Sequence, residues 1–378
     1  MEWIECTLGD VLNFRRGYDL PHSEMRGGDV PVAGSNGVIG YHDVATSISP
    51  VITIGRSGNV GTPYMYEKAW AHNTTLFIDD FKGNDPLYLY YLIKTLPLSS
   101  FGGGSAVPTL NRNHIHPLVI KHCSDLNEQR RIAGILKSFD DKIALNSRIN
   151  HNLEEQAQAL YKSWFVDFEP FKGGEFVDSE LGRIPEGWVC APLTSILEYR
   201  KIAVNPQKFP NTLFTHYSLP AFDNSREPEL QRGAEIMSNK FRLDNRMVLF
   251  SKLNPRIKRL WPIDVVAPDS ICSTEFIAYK ALKEQHHSFV WCYLNSDSFY
   301  EKVMAEVNGA TGSHQRFHAE DTLNYIIPYN QIAISEFSEH AIPLLETIIK
   351  NERENRILKK ERDELLPKLM AGDVSITR

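Results

Sequence analysis

Apolar residues recur at alternating intervals of four and three positions in two long segments of the chain, 126–168 and 334–370. In the first segment the repeating positions are Ile132, Leu136, Phe139, Ile143, Asn146, Asn150, Leu153, Ala157, Leu160 and Trp164. In the second they are Phe337, Ala341, Leu344, Ile348, Asn351, Asn355, Leu358, Arg362, Leu365 and Leu369, each 205 residues later. This spacing predicts two long helices that pair as a coiled coil. Pro343 and Pro367 interrupt the second pattern and predict a kink or a late start there.

Both repeats place two asparagines in the middle of the apolar seam. Buried polar side chains at such positions cost stability but fix the register of the paired helices. If the helices are antiparallel, Asn146 and Asn150 lie opposite Asn351 and Asn355. We therefore predict an antiparallel pair whose register these four residues set. The alternative is a coiled coil that only dimerises the protein.

Shorter segments between the long helices have the composition of strands and short helices. Segments rich in β-branched and aromatic residues predict strands at 50–56, 74–79, 246–252 and 275–280. Glycine-rich turns separate several of these segments. Two aromatic-rich segments, 86–96 and 288–304, predict short helices.

The chain contains an internal duplication. The stretch WIECTLGDVLNFRR at 3–16 resembles WVCAPLTSILEYRK at 188–201, which lies 185 residues later. The stretches at 110–120 and 318–328 are also alike, and each precedes a predicted long helix. The predicted fold class is α+β, with two mixed α/β domains separated by two long antiparallel coiled-coil helices in a pseudo-two-fold repeat. The predicted divisions are a first block at 1–124, a central helix at 125–172, a linker at 173–185, a second block at 186–330, a C-terminal helix at 331–372 and a tail at 373–378.

Composition narrows the class of protein. The net charge of −6 argues against a general nucleic-acid binder, which is expected to carry a basic surface. One stretch, 245–263, nevertheless holds five basic residues and no acidic one, and predicts either a DNA-contacting surface or a solvated turn. Five unclustered cysteines indicate reduced thiols. With neither a signal peptide nor a membrane-spanning run evident, we expect a cytoplasmic protein without a membrane partner.

Motifs for catalysis are not found in the sequence. It has no phosphate-binding loop with its lysine, no HExxH, no GxSxG and no GxGxxG. It also lacks the Asn-Pro-Pro-aromatic motif of adenine methylation, and its histidines do not have the spacing of metal ligands. We predict that the chain is not an enzyme by itself and holds no metal or cofactor.

Candidate DNA-binding residues are more abundant. Asparagine, glutamine and arginine side chains make bidentate contacts with purine edges, and basic residues hold phosphates. The candidates in the first block are Arg15, Arg16, Arg56, Asn59, Asn111, Arg112, Asn113 and His114. The candidates in the second block are Arg200, Lys201, Lys252, Arg256, Lys258, Arg259, Ser313, His314, Gln315 and Arg316. For each of these residues, an exposed polar position without DNA contact is the alternative.

Several motifs resemble those of the specificity subunit of type I restriction–modification systems. FVDSELGRIPEGW (176–188) is similar to the family's segment that leads into the second target-recognition domain. LNEQRRIAGILKSFDDKI (126–143) and LEEQAQALYKSWFVDF (153–168) resemble its central conserved helix. ERDELLPKLMAGDV (361–374) resembles its C-terminal helix, and GSAVPTLNRNHI (104–115) resembles the end of a recognition domain. The resemblance covers essentially the whole chain.

This resemblance implies a function in double-stranded DNA recognition. Each block would be a target-recognition domain that reads one half of a bipartite, asymmetric sequence. The two helices would set the gap between the halves and dock two modification subunits, which carry S-adenosylmethionine and adenine-N6 methylation chemistry. Restriction subunits that use ATP and Mg would complete the complex. A self-contained DNA methyltransferase and a coiled-coil scaffold with two protein-binding domains are the alternatives.

Overall fold

The computed structural model of the chain describes residues 3–101, 109–307 and 316–374. The chain forms two compact units. The first unit comprises residues 1–143 and 357–378, and the second comprises residues 144–356. Each long helix therefore contributes a segment to both units.

The first unit is built around a six-stranded sheet. The strands of this unit are Trp3–Thr7 (β1), Asn13–Arg16 (β2), Val30–Gly34 (β3), Gly37–His42 (β4), Ser47–Gly55 (β5), Pro63–Ala71 (β6), Thr75–Asp80 (β7) and Val119–Cys123 (β8). Its helices are Leu8–Val11 (α1), Pro86–Thr95 (α2), Arg112–Ile115 (α3) and the start of Leu126–Phe165 (α4). The sheet has the order β2–β7–β5–β6–β3–β4, and β1 pairs separately with β8. Strand β2 is thus an edge strand.

Helix α2 connects this sheet to the long helix α4. The Asp85 side chain caps α2 by accepting a hydrogen bond from the Tyr88 backbone nitrogen at 2.9 Å, and Pro86 occupies the first turn. The helix buries Tyr88 and Leu89 in a core that also contains Ile132 of α4. The predicted helix at 86–96 and the predicted strands at 50–56 and 74–79 are confirmed within three residues at each end.

The second unit contains two larger sheets. Its strands are Phe176–Ser179 (β9), Gly182–Pro185 (β10), Val189–Pro192 (β11), Leu197–Tyr199 (β12), Ala203–Val204 (β13), Leu213–Tyr217 (β14), Glu229–Arg232 (β15), Lys240–Arg242 (β16), Met247–Ser251 (β17), Leu260–Ile263 (β18), Ser270–Ser273 (β19), Phe276–Ala281 (β20) and Ile326–Tyr329 (β21). Its helices are Leu219–Asn224 (α5), His287–Asn295 (α6), Asp297–Ala305 (α7) and the longer part of Gln331–Met370 (α8). The sheet orders are β12–β20–β17–β18 and β13–β16–β19–β14–β15, with β10–β9 and β11–β21 as separate pairs.

The predicted helical segment at 288–304 is divided into α6 and α7. Ser296 ends the first helix and caps the second, because its hydroxyl accepts a hydrogen bond from the Phe299 backbone nitrogen at 3.3 Å. The predicted strands at 246–252 and 275–280 correspond to β17 and β20.

Strand pairing explains why the opening stretch occurs twice. In the first unit β1 pairs antiparallel with β8, so that Trp3 lies opposite Cys123. In the second unit β11 pairs antiparallel with β21, so that Val189 lies opposite Tyr329. In both blocks the opening strand therefore holds the closing strand, which leads directly into a long helix.

The two long helices are present and each has 40 residues. Within the second unit they are antiparallel, because Asn146 bonds to Asn355 and Asn150 to Asn351. Within the first unit their segments are also antiparallel, and Arg362 of α8 contacts Asp140 of α4. The predicted antiparallel pair is confirmed.

The predicted late start of the second helix is wrong. Helix α8 begins at Gln331 and is continuous through Pro343 and Pro367. The Asn330 side chain caps it by accepting hydrogen bonds from the backbone nitrogens of Ile332 and Ala333 at 3.0 and 3.1 Å. This cap fixes the start, and packing of the buried helix face outweighs the loss of hydrogen bonds at the prolines.

The stretch predicted as a linker, 173–185, contains the hairpin of β9 and β10 at 176–185. The adjacent Trp188 packs against Phe165, Phe168 and Phe171, with ring centroids 5.6, 5.3 and 5.0 Å away. This aromatic cluster attaches the beginning of the second block to the end of α4.

Candidate nucleic-acid interface

Arginine side chains from three separate segments converge on one concave surface of the first unit. Arg15 and Arg16 lie on β2, Arg56 follows β5, and Arg112 begins α3. The arginine cavity, as we name it, has a volume of about 390 Å³ and is lined by Arg15, Arg16, Arg56, Leu76, Thr109, Leu110, Asn111 and Arg112. Residues separated by 97 positions in sequence thus form one basic site.

Hydrogen bonds between the segments fix the backbone of the arginine cavity. The Phe14 backbone nitrogen donates to His116 Nε2 at 3.1 Å, which ties the edge strand β2 to the residues after α3. The Leu110 backbone nitrogen donates to the Arg56 carbonyl oxygen at 2.7 Å. The arginine side chains therefore project from an ordered frame.

Two of the four guanidinium groups bind only uncharged acceptors among the described residues. Arg112 Nη1 donates to the Phe14 carbonyl oxygen at 3.2 Å. Arg56 Nη1 lies 3.4 Å from the Asn73 carbonyl oxygen. Carbonyl oxygens position these side chains without cancelling their charge.

The other two arginines belong to the exposed end of β2. The Arg15 guanidinium lies over the Tyr18 ring, 5.5 Å from its centroid. Arg16 Nη2 is 3.5 Å from Asp19 Oδ1, and both side chains are more than half exposed. An ion pair of this kind contributes little and is readily exchanged. The arginine cavity therefore keeps an excess of positive charge, which suits a phosphate group.

Asn111 lines the arginine cavity, and its Oδ1 accepts a hydrogen bond from the Asn113 backbone nitrogen at 3.0 Å. This bond caps α3 and fixes the orientation of the Asn111 side chain. Asn113 and His114 are exposed on α3 but do not line the cavity.

Asn59 is exposed in the glycine-rich loop at 55–62, where its Oδ1 accepts a hydrogen bond from the Thr62 hydroxyl at 3.2 Å. The loop folds closely on itself, because a Cβ atom at Gly55 would lie only 1.7 Å from the Asn59 carbonyl oxygen. The glycine has a structural role at this position.

The four-stranded sheet of the second unit repeats part of the first sheet. Its order β12–β20–β17–β18 matches β2–β7–β5–β6. The Arg56 backbone nitrogen donates to Thr74 at 2.8 Å, and the Lys252 backbone nitrogen donates to Glu275 at 2.9 Å. Lys252 is therefore the structural equivalent of Arg56.

Two isolated bridges extend this equivalence. Ser57 bridges to Thr109 in the first unit, and Leu253 bridges to Arg316 in the second. Arg316 therefore occupies the position of Thr109, at the edge of the corresponding surface. The 185-residue offset of the opening stretch makes Arg200 and Lys201 the equivalents of Arg15 and Arg16.

Carboxylates bind the two basic residues that directly follow β12, Arg200 and Lys201. Arg200 lies 3.0 Å from Asp244 and 3.4 Å from Glu198, and Lys201 contacts Glu320. Burial raises the pKa of Asp244, but the hydrogen bonds and positive charges of Arg200 and Lys280 together outweigh it, and the pKa of that carboxyl is lowered. The carboxylate is therefore charged at neutral pH and neutralises Arg200.

Arg316 is paired in the same way. Its Nη2 donates to Glu275 Oε1 at 2.9 Å. The neighbouring candidates Ser313, His314 and Gln315 lie outside the described residues. Of this predicted cluster, only Arg316 can be placed on the surface.

The five basic residues at 245–263 do not form one continuous exposed surface. Arg259 is only 8% exposed and forms two hydrogen bonds with the Asp223 carboxylate, at 2.6 and 2.9 Å. Lys258 donates to the Asn295 carbonyl oxygen, and its Nζ lies 5.9 Å from the centroid of the Tyr300 ring. These contacts give Arg259 a structural role and direct Lys258 toward the protein.

Two other candidates in this stretch have no carboxylate partner. Neither Lys252 nor Arg256 forms an ion pair with a described residue, and Arg256 is exposed. Lys252 and Arg256 are therefore the basic residues of the second block that are best placed to contact a polyanion.

The four seam asparagines are at most 9% exposed and bond to one another in pairs. Asn146 Nδ2 donates to Asn355 Oδ1 at 2.9 Å, and Asn351 Nδ2 donates to Asn150 Oδ1 at 2.8 Å. Asn146 also donates to a carboxylate oxygen of Glu354 at 2.8 Å. Their control of register stays a prediction.

Comparison with known proteins identifies the family. Residues 1–155 match the model of the type I restriction modification DNA specificity domain. The MjaIX type I restriction enzyme specificity subunit of Methanocaldococcus jannaschii is 31% identical over 309 residues, which cover 76% of this chain and 69% of that subunit.

The chain belongs to the type I restriction enzyme specificity subunits. A second relative, the HindI specificity subunit of Haemophilus influenzae, is 37% identical over 101 residues, which cover 23% of this chain and 22% of that protein. The crystal structure of a type I S subunit from M. genitalium has the same fold, with a TM-score of 0.64 and 15% identity over 100% of this chain and 97% of that one.

A specificity subunit provides DNA recognition and does not carry the catalytic site of its enzyme. Among the described residues there is no cluster of histidine, cysteine, aspartate or glutamate that could hold a metal ion. None of the described helices is long and apolar enough to span a membrane.

The carboxylates of this specificity subunit were not predicted as part of its surface. Asp244, Glu275 and Glu320 determine which basic residues remain available. They lie 44, 41 and 119 positions from the basic residues that they bind, which are Arg200, Arg316 and Lys201. Sequence spacing contains no signal for such pairs, which arise only when the sheet assembles.

Proposed function

We propose that this specificity subunit reads a bipartite, asymmetric DNA sequence, with one half read by each block. The arginine cavity carries this proposal, because it presents four guanidinium groups beside Asn111 on an ordered frame. Arginines that retain their charge hold phosphates and set orientation, while an asparagine amide can pair with an adenine edge. In the second block Lys252 and Arg256 would hold phosphates, and Arg316 would read a base after leaving Glu275.

The remaining candidates fall into two groups. Asn59, Asn113 and His114 are exposed near the arginine cavity and would contact DNA at its margin. Arg200, Lys201, Lys258 and Arg259 are bound to protein acceptors, and in our proposal they shape the second block more than they contact DNA.

The long helices would set the spacing between the two half-sites and dock the modification subunits. A 40-residue helix has a length of about 60 Å at 1.5 Å per residue. Leu145 and Ile149 on α4 remain 43% and 36% exposed, which supports a partner surface on this helix. The modification subunits would supply S-adenosylmethionine chemistry, and restriction subunits would supply ATP- and Mg-dependent cleavage. The complex would act on DNA in the cytoplasm.

Selection of bound fragments from random double-stranded DNA tests this proposal. The purified complex of the chain with its modification subunit should enrich two short motifs separated by a fixed gap. Enrichment of no sequence by a complex verified as assembled would contradict DNA reading and favour a coiled-coil scaffold.

The net charge of −6 leads to a related expectation. Partner subunits would supply part of the basic channel, so the isolated chain should bind DNA more weakly than the complex and with a smaller salt dependence. Equal affinity and equal salt dependence would show that the chain alone provides the whole interface.

A further inference from the structure

The second unit contains a cavity that the proposed DNA interface does not use. It lies between the first turn of α6 and one face of α8 and has a volume of about 420 Å³. We name it the His287 cavity after the buried side chain in its lining.

His287 is only 8% exposed, and neither of its ring nitrogens has a hydrogen-bond partner among the described residues. Burial lowers the pKa of His287 to about 4, so the ring is neutral at physiological pH and has one donor and one acceptor nitrogen. A buried polar group without a partner destabilises the fold, and each such group requires an explanation. A ligand in the cavity would supply the missing partner.

One wall of the His287 cavity is apolar. It consists of Ile342, Leu345 and Ile349, which follow one another at intervals of three and four along α8. This spacing places the three side chains on the same helix face. The wall offers a surface for an aliphatic chain of a few carbon atoms.

The rest of the lining carries excess negative charge. Three carboxylates, Asp264, Glu284 and Glu346, line the cavity with a single cation, Arg246. Arg246 Nε lies 3.6 Å from Asp264 and 3.7 Å from Glu284, distances too long for strong hydrogen bonds. The arginine therefore leaves two of the three negative charges uncompensated.

We propose that the His287 cavity binds a primary ammonium group on an aliphatic stem. The stem would lie along the apolar wall of α8, as the methylene chain of a lysine does on other apolar surfaces. The ammonium group would donate hydrogen bonds to the acceptor nitrogen of His287 and to the carboxylates. Free polyamines and the lysine side chains of a partner subunit share this chemistry.

The test uses the full chain labelled with ¹³C in its histidine rings and titrated with n-butylammonium, the analogue of a lysine side chain. The His287 resonance, assigned by its loss in His287→Asn, should shift as the amine binds. The uncharged analogue n-butanol should leave it unchanged at the same concentrations.

Matched variants show which carboxylates of the His287 cavity are needed to bind the amine. Glu346→Gln should raise the Kd for n-butylammonium about threefold, and Glu346→Gln with Glu284→Gln about tenfold, because each removes one partly exposed charge interaction. Glu339→Gln, on an exposed position of the same helix outside the cavity, should leave the Kd unchanged.

Three results would overturn the proposal. They are an unshifted His287 resonance at tens of millimolar amine, equal binding of n-butanol, and equal affinity in the double variant. An unshifted resonance would mean that the cavity binds no amine, and either of the other two results would mean that binding there does not depend on the charge of the ammonium group.

Two further titrations distinguish the sources of the ammonium group. If spermidine shifts the His287 resonance both in the isolated chain and in the complex with the modification subunit, the ligand is a free polyamine. If the complex excludes n-butylammonium and Glu346→Gln weakens assembly, the ligand is a lysine of the partner. Sequence selection by the complex is measured separately, so loss of the ammonium site leaves the DNA-reading proposal intact.

Discussion

Equivalent positions in the two blocks carry the same kind of residue but not the same free charge. Arg15 and Arg16 on β2 line an open basic cavity, and Arg16 lies 3.5 Å from the exposed Asp19. Their counterparts Arg200 and Lys201 are held by carboxylates of the second unit. The backbone frame is shared, since the opening strand pairs with the closing strand in both blocks.

This difference shows that duplication preserved the frame and changed the surface. A residue that contacts DNA in one block cannot be assigned the same role in the other from its sequence offset alone. The second block also inserts a five-stranded sheet, β13–β16–β19–β14–β15, which provides Arg242 and other surface positions absent from the first. Two blocks with the same backbone arrangement and different surface residues can thus recognise different half-sites.

The largest effect is expected from removing three charges of the arginine cavity. The variant Arg15→Gln/Arg16→Gln/Arg56→Gln should lower DNA affinity of the complex about 100-fold at physiological salt. The slope of log K against log salt should fall by about 2.7, because each lost phosphate contact removes about 0.9. Filter binding over a salt series measures both quantities.

The matched variant of the second block is Arg200→Gln/Lys201→Gln/Lys252→Gln. Here only Lys252 lacks an ion-pair partner among the described residues, so the slope should fall by about 0.9. Equal losses in the two triple variants would contradict the comparison.

The base-reading residues proposed for the two blocks should each affect a different half-site. Asn111→Ala should alter sequence preference in one half-site by about 1–3 kcal/mol, and Arg316→Ala should do so in the other half-site only. Asn111→Ser is the control for stability, because serine also caps a helix but cannot form the bidentate pair that asparagine makes with adenine. Sequence selection with each variant measures the change, and uniform weakening across all sequences would indicate a phosphate contact.

The helix segments of the two units also differ, since an ion pair between Asp140 and Arg362 joins them in the first and asparagine pairs join them in the second. Asn146→Ala should lower the free energy of unfolding by about 1–3 kcal/mol, because buried Asn355 loses its partner. Asn146→Leu/Asn355→Leu should recover this stability but allow other registers. Urea unfolding and cysteine cross-linking across the pair measure stability and register. A single register in the double variant would show that the Asn146–Asn355 pair is not needed to set it.

The smallest effect should come from releasing the paired cations of the second block. Glu320→Gln frees Lys201, and it should raise DNA affinity by about fivefold or less. Asp19→Asn in the first block should change affinity less, because Arg16 is only loosely paired. Measuring both affinities at one salt concentration checks this ranking, which a larger gain from Asp19→Asn would reverse.

Periodicity was sufficient to predict the helical scaffold and its repeat. The seam from Ile132 to Trp164 and its copy 205 residues later predict two paired helices, and the asparagines that an antiparallel arrangement places opposite each other predict its direction. Helix α8 begins at the predicted division at 331, and the late start expected from the prolines is wrong because the Asn330 cap determines the boundary. The ion pairs of Arg259 and Arg200 could not be predicted, because Asp223 and Asp244 come close to these arginines only in the folded structure.

Mapping of N6-methyladenine in DNA from cells that carry this chain and its modification subunit tests the central claim most directly. If each block reads one half-site, the methylated sites should share a bipartite motif with a fixed gap. Replacement of residues 186–330 by the same region of another specificity subunit should then change only one half of that motif. A change in both halves, or no chain-dependent methylation by a verified complex, would contradict the assignment of one half-site to each block.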